Sequence, residues 1–334
     1  MARRSKALVP AVQALASLAV LVLLLRQAAF DDLTTAFSQA SLGWLGVALI
    51  GKTLGLTLHE LRLWVSLLPA HRRPVWSVVT IGYAAGLVNT VLPMRTGDLF
   101  AAVLLRTEQD VPTPAALSAV ALTAILEAFA FGLFLLGVLV FGAAHFDELL
   151  GTASTTRTTG AVGLLALGSL AAAVAVVLIA RRFSEEPREA GPGFVEGLRG
   201  TLVATGDHLG HPGLALGNLA LAFGQVLCLL VTFWCLLPAV DVTVNQPLLA
   251  VSGILAVGSL ASIALPPTMA AGPAAVSVFV LGFFGVGEAQ ALAYAGLTWV
   301  VNVIPALAVG VVPLWGRLGR LGEVVLDTRA ESAP

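Results

Sequence analysis

Gly86–Gly97 reads GLVNTVLPMRTG, and Gly258–Gly272 reads GSLASIALPPTMAAG. Each is an apolar run broken by Leu-Pro, a polar residue and a glycine. Proline removes a backbone donor and its ring clashes with the preceding turn, so neither stretch continues as one straight helix. Pro93 and Pro266 lie 173 residues apart in a chain of 334. The spacing reads as an internal repeat, and the fold turns on how a bilayer accommodates the two breaks.

That the solvent is lipid follows from composition. Hydrophobic residues make up 58% of the chain and charged residues 11%, with a mean hydropathy of +0.94; a soluble domain carries about 25% charge. Eighteen Lys+Arg and 19 Asp+Glu cannot cover a water-facing surface of this size. A net charge of −1 with 7% aromatics leaves no basic stacking surface, which excludes a nucleic-acid partner. Cys228 and Cys235 sit seven apart in one apolar run, about 10 Å along a helix, and read as packing residues rather than a disulfide.

A helix needs about 20 apolar residues to cross the hydrocarbon core. Six such spans are predicted: Ala7–Leu25, Leu42–Leu68, Thr113–Phe141, Gly160–Ala180, Pro212–Leu237 and Glu288–Leu314. The first is read as a retained span rather than a cleaved signal. Val75–Arg106 and Pro247–Val286 are the two broken stretches. Basic residues stay on the cytoplasmic side. With the N-terminus inside and each broken stretch returning to the side it entered from, thirteen of the 18 basic residues fall in the cytoplasm. Only Arg26 and Arg157 then face outward. A single crossing by either stretch would export the Arg181–Arg199 cluster, so both read as re-entrant hairpins.

The fold class is therefore an all-α polytopic membrane protein, one integral domain over 1–334. Residues 1–180 hold the hairpin 75–106, and 212–314 hold the hairpin 247–286. Between them, 181–211 form a cytoplasmic loop. There Phe194, Leu198, Leu202 and Leu209 recur near helical spacing, as either a membrane-surface amphipathic helix or a connecting helix packed on the bundle. Residues 315–334 are a cytoplasmic tail. By this topology the hairpins enter from opposite sides, the inverted-repeat pattern whose broken helices point to a midplane binding site.

Freed backbone groups cannot face lipid and must line a cavity or be buried in protein. Thr96 is placed to cap the limb after the first break, with Asp98 in its first turn, and Gly272-Pro273 starts the limb after the second. Two helix N-termini pointing at the membrane centre favour an anion, and Arg95 adds a full charge. Arg95, Lys52, Asn89, Thr96, Gly97, Thr268 and Gly272 are accordingly the candidate residues for binding an anionic lipid head group. The competing reading is that the prolines kink ordinary helices while Arg95 reaches back to water.

Charge inside a span costs about 2.5–3.5 kcal/mol on insertion scales and needs a reason. Lys52 and His59, seven apart, share one face of the second span. Glu60 and Arg62 diverge from that face by about 80° on either side. Arg62 lies within two turns of the inner end and reads as snorkelling. Glu127 has no cation in its own helix, which leaves Lys52 and Arg95 as its available partners. His59, Glu60, Asp98 and Glu127 are candidates for proton coupling or for a structural ion pair. Asn89 is placed to bond either a ligand or a freed carbonyl. No metal site is expected, since HE at adjacent positions is not HExxH.

GKTLGLTLHELRLWVSLLPAHRRP, GYAAGLVNTVLPMRTGDLFAAVLLR, PTPAALSAVALTAILEAF and LPPTMAAGPAAVSVFVLGFFGVGEAQALAYAGLTWVVNVIP occur in that order. They resemble the membrane region of lysylphosphatidylglycerol synthases and the stand-alone UPF0104, or flippase-like, family. The Asn-x-x-Leu-Pro-x-x-x-Gly-acidic element falls on Asn89, Leu92, Pro93, Gly97 and Asp98. The second Leu-Pro…Gly element falls on Leu265, Pro266 and Gly272. The resemblance implies plasma-membrane residence and lipid movement between leaflets. Two departures bear on head-group recognition: Ala101 and Ala102 stand where an Arg is expected, and Pro273, Ala274 and Ala275 stand where an acidic residue is common. The last 20 residues leave no room for the synthase's aminoacyl-transfer domain, so aminoacylation is not expected of this chain.

The expectation is thus a lipid translocator with no catalytic residues and no cofactor; there is no P-loop for ATP. Two alternatives stand beside it: an intramembrane transferase with Glu60, Asp98 or Glu127 as base, and a non-transporting subunit supporting a separate lipid-modifying enzyme. Oligomeric state is not readable.

Overall fold

The computed structural model describes residues 40–68, 70–91, 96–150, 203, 205–208, 210–264 and 271–331, together with 167, 171, 175 and 178. Among the described residues every regular element is helical. The helices are α1 (Leu42–Leu67), α2 (Val75–Val91), α3 (Thr96–Gln109), α4 (Thr113–Leu150), α5 (Pro212–Ala239), α6 (Pro247–Ala264), α7 (Ala271–Phe283) and α8 (Glu288–Glu331). Over Leu42–Leu67, Thr113–Val138, Pro212–Ala239 and Glu288–Arg317 the helices are long and apolar enough to cross a membrane. The chain is an all-α integral membrane protein. Its outer face carries exposed large apolar side chains such as Ile50, Trp76, Leu216 and Val312, a surface stable against lipid and not against water.

Two expected spans, Ala7–Leu25 and Gly160–Ala180, lie outside the described residues, apart from residues 167, 171, 175 and 178, which are helical. The other four correspond to α1, α4, α5 and α8. Two boundaries differ. α4 continues to Leu150 and α8 to Glu331, because the polar residues beyond Phe141 and Leu314 end the apolar run without breaking the helix. The expected tail 315–334 is therefore helical as far as Glu331.

Each broken stretch is a pair of helices whose limbs pack on each other: α2 on α3, and α6 on α7. α2 ends at Val91 and α3 begins at Thr96, and α6 ends at Ala264 and α7 begins at Ala271, so the two Leu-Pro elements lie between the limbs. α3 stops at Gln109 because Asp110 takes a left-handed conformation (φ 50°) and Val111 donates its N–H back to the Leu105 carbonyl at 3.1 Å.

The most extensive helix contact among the described residues is that of α1 with α5. A Cβ at Gly51 would stand 2.8 Å from Thr232 Oγ1, and one at Gly55 would stand 3.4 Å from Cys228 Cβ. Small residues thus bring the two backbones together, as is usual where helices meet in lipid. Cys228 and Cys235 are both free thiols. α8 lies against α2 in the same way, with a Gly310 Cβ reaching 2.7 Å from Leu87 Cβ and 2.8 Å from the Tyr83 carbonyl oxygen. Arg317 ties this seam: its guanidinium meets Glu108 Oε2 at 3.1 Å, the Thr80 carbonyl at 3.1 Å and the Thr80 hydroxyl at 3.0 Å. The apolar core gathers Leu236, Ile254, Leu281, Tyr294 and Leu297 from the second half. A second core gathers Val78, Ile81, Leu104 and Leu105 between α2 and α3.

Phe194, Leu198, Leu202 and Leu209, expected on an amphipathic helix, lie outside the described residues. The helical residues 205–208 pack on the bundle. Thr205 and Ser118 share a hydrogen bond of 2.8 Å, and His208 Nδ1 donates to the Leu68 carbonyl at 2.9 Å. Burial holds the His208 pKa below the ordinary histidine value.

Candidate functional site

At the first break the chain leaves α2 and re-enters helix at Thr96. The helix start exposes N–H groups that need acceptors. The Asn89 side chain meets this need from across the break: its Oδ1 accepts the Gly97 N–H at 2.7 Å, and its Nδ2 donates to Asp98 Oδ1 at 2.7 Å. Asn89 thus bonds a freed N–H and a carboxylate, and not the freed carbonyl that was one of its two expected partners. The expected Thr96 cap is corrected as well. Its hydroxyl is buried and has no hydrogen-bond partner among the described residues. The Asn89 amide reaches both groups at once, its oxygen accepting from the Gly97 N–H while its nitrogen donates to the Asp98 carboxylate. Gly97 makes the approach possible, because a Cβ there would stand 2.0 Å from the Ala85 carbonyl oxygen and 2.7 Å from Asn89. Arg95 and Thr268 lie outside the described residues. Gly272 falls in the first turn of α7.

Below the break the polar residues of α1 fan out to different helices. Lys52 Nζ donates to Asn302 Oδ1 of α8 at 2.7 Å, and Asn302 is held in place by donating to the Thr298 carbonyl at 2.7 Å. His59 Nδ1 lies 3.4 Å from Glu127 Oε2 on α4. Glu60 turns to α2, where its carboxylate fills the room left by Gly82; a Cβ at Gly82 would stand 1.7 Å from Glu60 Oε2. One turn further, a Cβ at Gly86 would lie 3.6 Å from Oε1. Thr57 and the Tyr83 hydroxyl bridge the same two helices at 2.8 Å.

Arg62 faces α5, and its expected snorkelling is corrected: the side chain is 0% exposed. Its Nε donates to Asn218 Oδ1 at 3.1 Å, its Nη1 to Gln225 Oε1 at 2.8 Å, and its Nη2 to the Thr123 carbonyl. Asn218 in turn donates to Ser66 Oγ at 2.8 Å. A helix step of 100° per residue, not distance from the helix end, decides where Arg62 points. Asn218 and Gln225 are seven apart in an otherwise apolar span and so share one face, the signal that would have identified them as a receptor for this cation.

Glu127 also takes partners other than those expected. Its Oε2 lies 3.8 Å from Arg62 Nη1, and its Oε1 accepts from Gln225 Nε2 at 3.1 Å. The hydrogen bond made by Lys52 goes to Asn302 instead. Glu127 and His59 remain part-exposed, at 29% and 33% of their side-chain surface, while Arg62 anchors the group from the buried side. Among the described residues no cluster of His, Cys, Asp and Glu could hold a metal ion.

The arrangement is a belt of charged and amide side chains that joins α1 to α4, α5 and α8, beside the clamp that Asn89 makes between α2 and α3. The family described as the lysylphosphatidylglycerol synthase TM region matches residues 11–310. The chain belongs to this family. Lysylphosphatidylglycerol synthase TM regions are concerned with lipid modification or translocation, and the matched range takes in both breaks and every residue of the charge belt. Comparison with curated proteins finds no match.

The contact between Glu60 and Gly82 gives a direct test of packing in this lysylphosphatidylglycerol synthase TM region. Gly82→Ala is expected to lower thermal stability in detergent by about 1–3 kcal/mol, the usual cost of overpacking. Combined with Glu60→Ala, which removes the side chain it meets, most of that loss should be recovered. A double-mutant cycle read by fluorescence-detected size exclusion after heating measures the coupling. Additive losses would mean that the two residues do not meet.

Proposed function

We propose that the protein is a non-enzymatic lipid translocator that carries a phosphate-bearing head group between leaflets through a central site at the two breaks. In this reading 75–106 and 247–286 are re-entrant hairpins in an inverted repeat, the protein resides in the plasma membrane, and both termini are cytoplasmic. Arg95 binds the phosphate and Lys52 assists it. The helix-start amides beside Gly97, whose own N–H Asn89 takes, and those around Gly272 complete the site with Thr268.

The observation that carries the reading is that two helix pairs, α2 with α3 and α6 with α7, pack limb on limb and are each joined through a Leu-Pro…Gly element of the sequence. Irregular backbone at membrane depth is stable only where it lines a cavity or is buried in protein. Paired breaks of this kind are how transporters build midplane sites. Belonging to a family named for a lipid synthase's membrane region supports a lipid as the cargo.

The test is leaflet-resolved. Full-length protein is reconstituted into phosphatidylcholine vesicles containing a trace of acyl-labelled fluorescent phosphatidylglycerol, and an impermeant quencher is added outside. Wild type should let the quencher reach nearly all of the label rather than the outer-leaflet share alone. Arg95→Ala should slow that exchange about tenfold or more, consistent with roughly 1.5–3 kcal/mol for a hydrogen bond to a charged group. Exchange no faster than in empty vesicles would overturn the proposal. A chemically altered label would point instead to a transferase, and exchange restored only by a copurifying protein would point to a subunit of a larger enzyme.

A further inference from the structure

We infer that Glu60 is a proton-binding site, at which the chain takes up and releases the proton that drives head-group movement. The inference rests on the translocator reading and deepens it by naming the coupling ion and its residue.

The other charged groups of the belt are committed. Glu127 is met by Arg62 and His59 and accepts from Gln225. Asp98 accepts from Asn89. Arg62 is bound to Asn218, Gln225 and Thr123, and Lys52 to Asn302. Glu60 is 5% exposed, and among the described residues no hydrogen bond or ion pair reaches its carboxyl group. A carboxylate in an apolar interior needs a cation, a donor or a proton. Intramembrane carboxyls of this kind serve proton pathways.

Its surroundings give the proton a mechanical consequence. The groups acting on Glu60 are His59 and Arg62 from its own helix, Asp98 from α3 and Glu127 from α4. The contact face of α2 presents Gly82 and Gly86, with the Tyr83 hydroxyl turned to Thr57. α5 presents the amides of Asn218 and Gln225 to Arg62, and α8 presents Asn302 to Lys52. When Glu60 carries its proton, α2 rests against α1 without repulsion. When the proton leaves, a carboxylate faces Asp98 at the start of α3, the residue that Asn89 clamps at the break. Charge on Glu60 therefore works directly against the element that closes the first break.

Two measurements test this. In the vesicles described above, an imposed pH gradient should change the wild-type exchange rate severalfold. For Glu60→Gln the ratio of rates with and without the gradient should fall to one. A wild-type rate that ignores the gradient, or a Glu60→Gln variant that follows it, overturns the inference while leaving translocation standing. Infrared difference spectra of the reconstituted protein between acid and alkaline pH provide a readout independent of lipid movement. The carbonyl band of a protonated carboxyl should titrate in wild type and in Glu60→Asp, and be missing in Glu60→Gln. Persistence of the full band in Glu60→Gln overturns the inference even if no lipid moves, and absence of exchange with a Glu60-dependent band overturns only the translocator reading.

Discussion

Arg62→Ala is expected to leave little folded protein. The substitution removes three hydrogen bonds and strands Asn218, Gln225, the Thr123 carbonyl and Glu127 in a packed interior. Breaking a buried charge pair from one side costs about 3–5 kcal/mol, against a total stability on the order of 5–15 kcal/mol. Arg62→Lys should recover only part of this, because a single ammonium cannot reproduce the fork that spans two amides and a carbonyl. The exposed Arg106 provides the control, and its alanine variant should stay within about 0.5 kcal/mol of wild type. The measurement is monodisperse yield and melting temperature in detergent. A melting temperature for Arg62→Ala equal to that of Arg106→Ala would mean that the buried network contributes nothing.

Gly97→Ala should have the largest effect on exchange for the smallest change in volume. The added methyl meets the Ala85 carbonyl oxygen at 2.0 Å and Asn89 at 2.7 Å. A backbone oxygen cannot turn aside as a side chain can, so α3 must move away from α2. That movement breaks the bond from the Gly97 N–H to Asn89, and with it the clamp on Asp98. Overpacking of this kind costs about 1–3 kcal/mol, and a similar loss at the binding step slows exchange by roughly tenfold to a hundredfold. Gly137→Ala, with nothing within 4 Å of its new methyl, should leave exchange unchanged. Wild-type exchange by Gly97→Ala would show that the clamp plays no part in transport.

The breaks were legible because proline and glycine act through local backbone chemistry. The described helices end at Val91 and Ala264, just before LPMRTG and LPPTMAAG, and begin again at Thr96 and Ala271. Partnerships were not legible, because they depend on which helices become neighbours. Lys52, His59, Glu60 and Arg62 could be assigned to angles around one helix axis, yet nothing local says that α5 stands at one angle and α2 at another. Arg62 was misread for this reason, and with it Arg62 and His59 were missed as partners of Glu127. The amides that complete the belt, Asn218, Gln225 and Asn302, are uncharged and draw no attention in an apolar span until a cation is placed opposite them. Thr96 was favoured as a cap by its residue type, but the acceptor for the Gly97 N–H came from Asn89, eight residues upstream of that glycine.

The placement of Arg62 also sets a schedule for synthesis. Its two amide partners lie 156 and 163 residues further along the chain. At about 5–20 residues per second, α1 exists for roughly 8–30 s before α5 emerges from the ribosome. During that interval Arg62 must remain at the membrane surface or in the protein-lined path of the insertion machinery. Final seating of the second span is therefore a late event, completed when α5 arrives rather than when α1 is made.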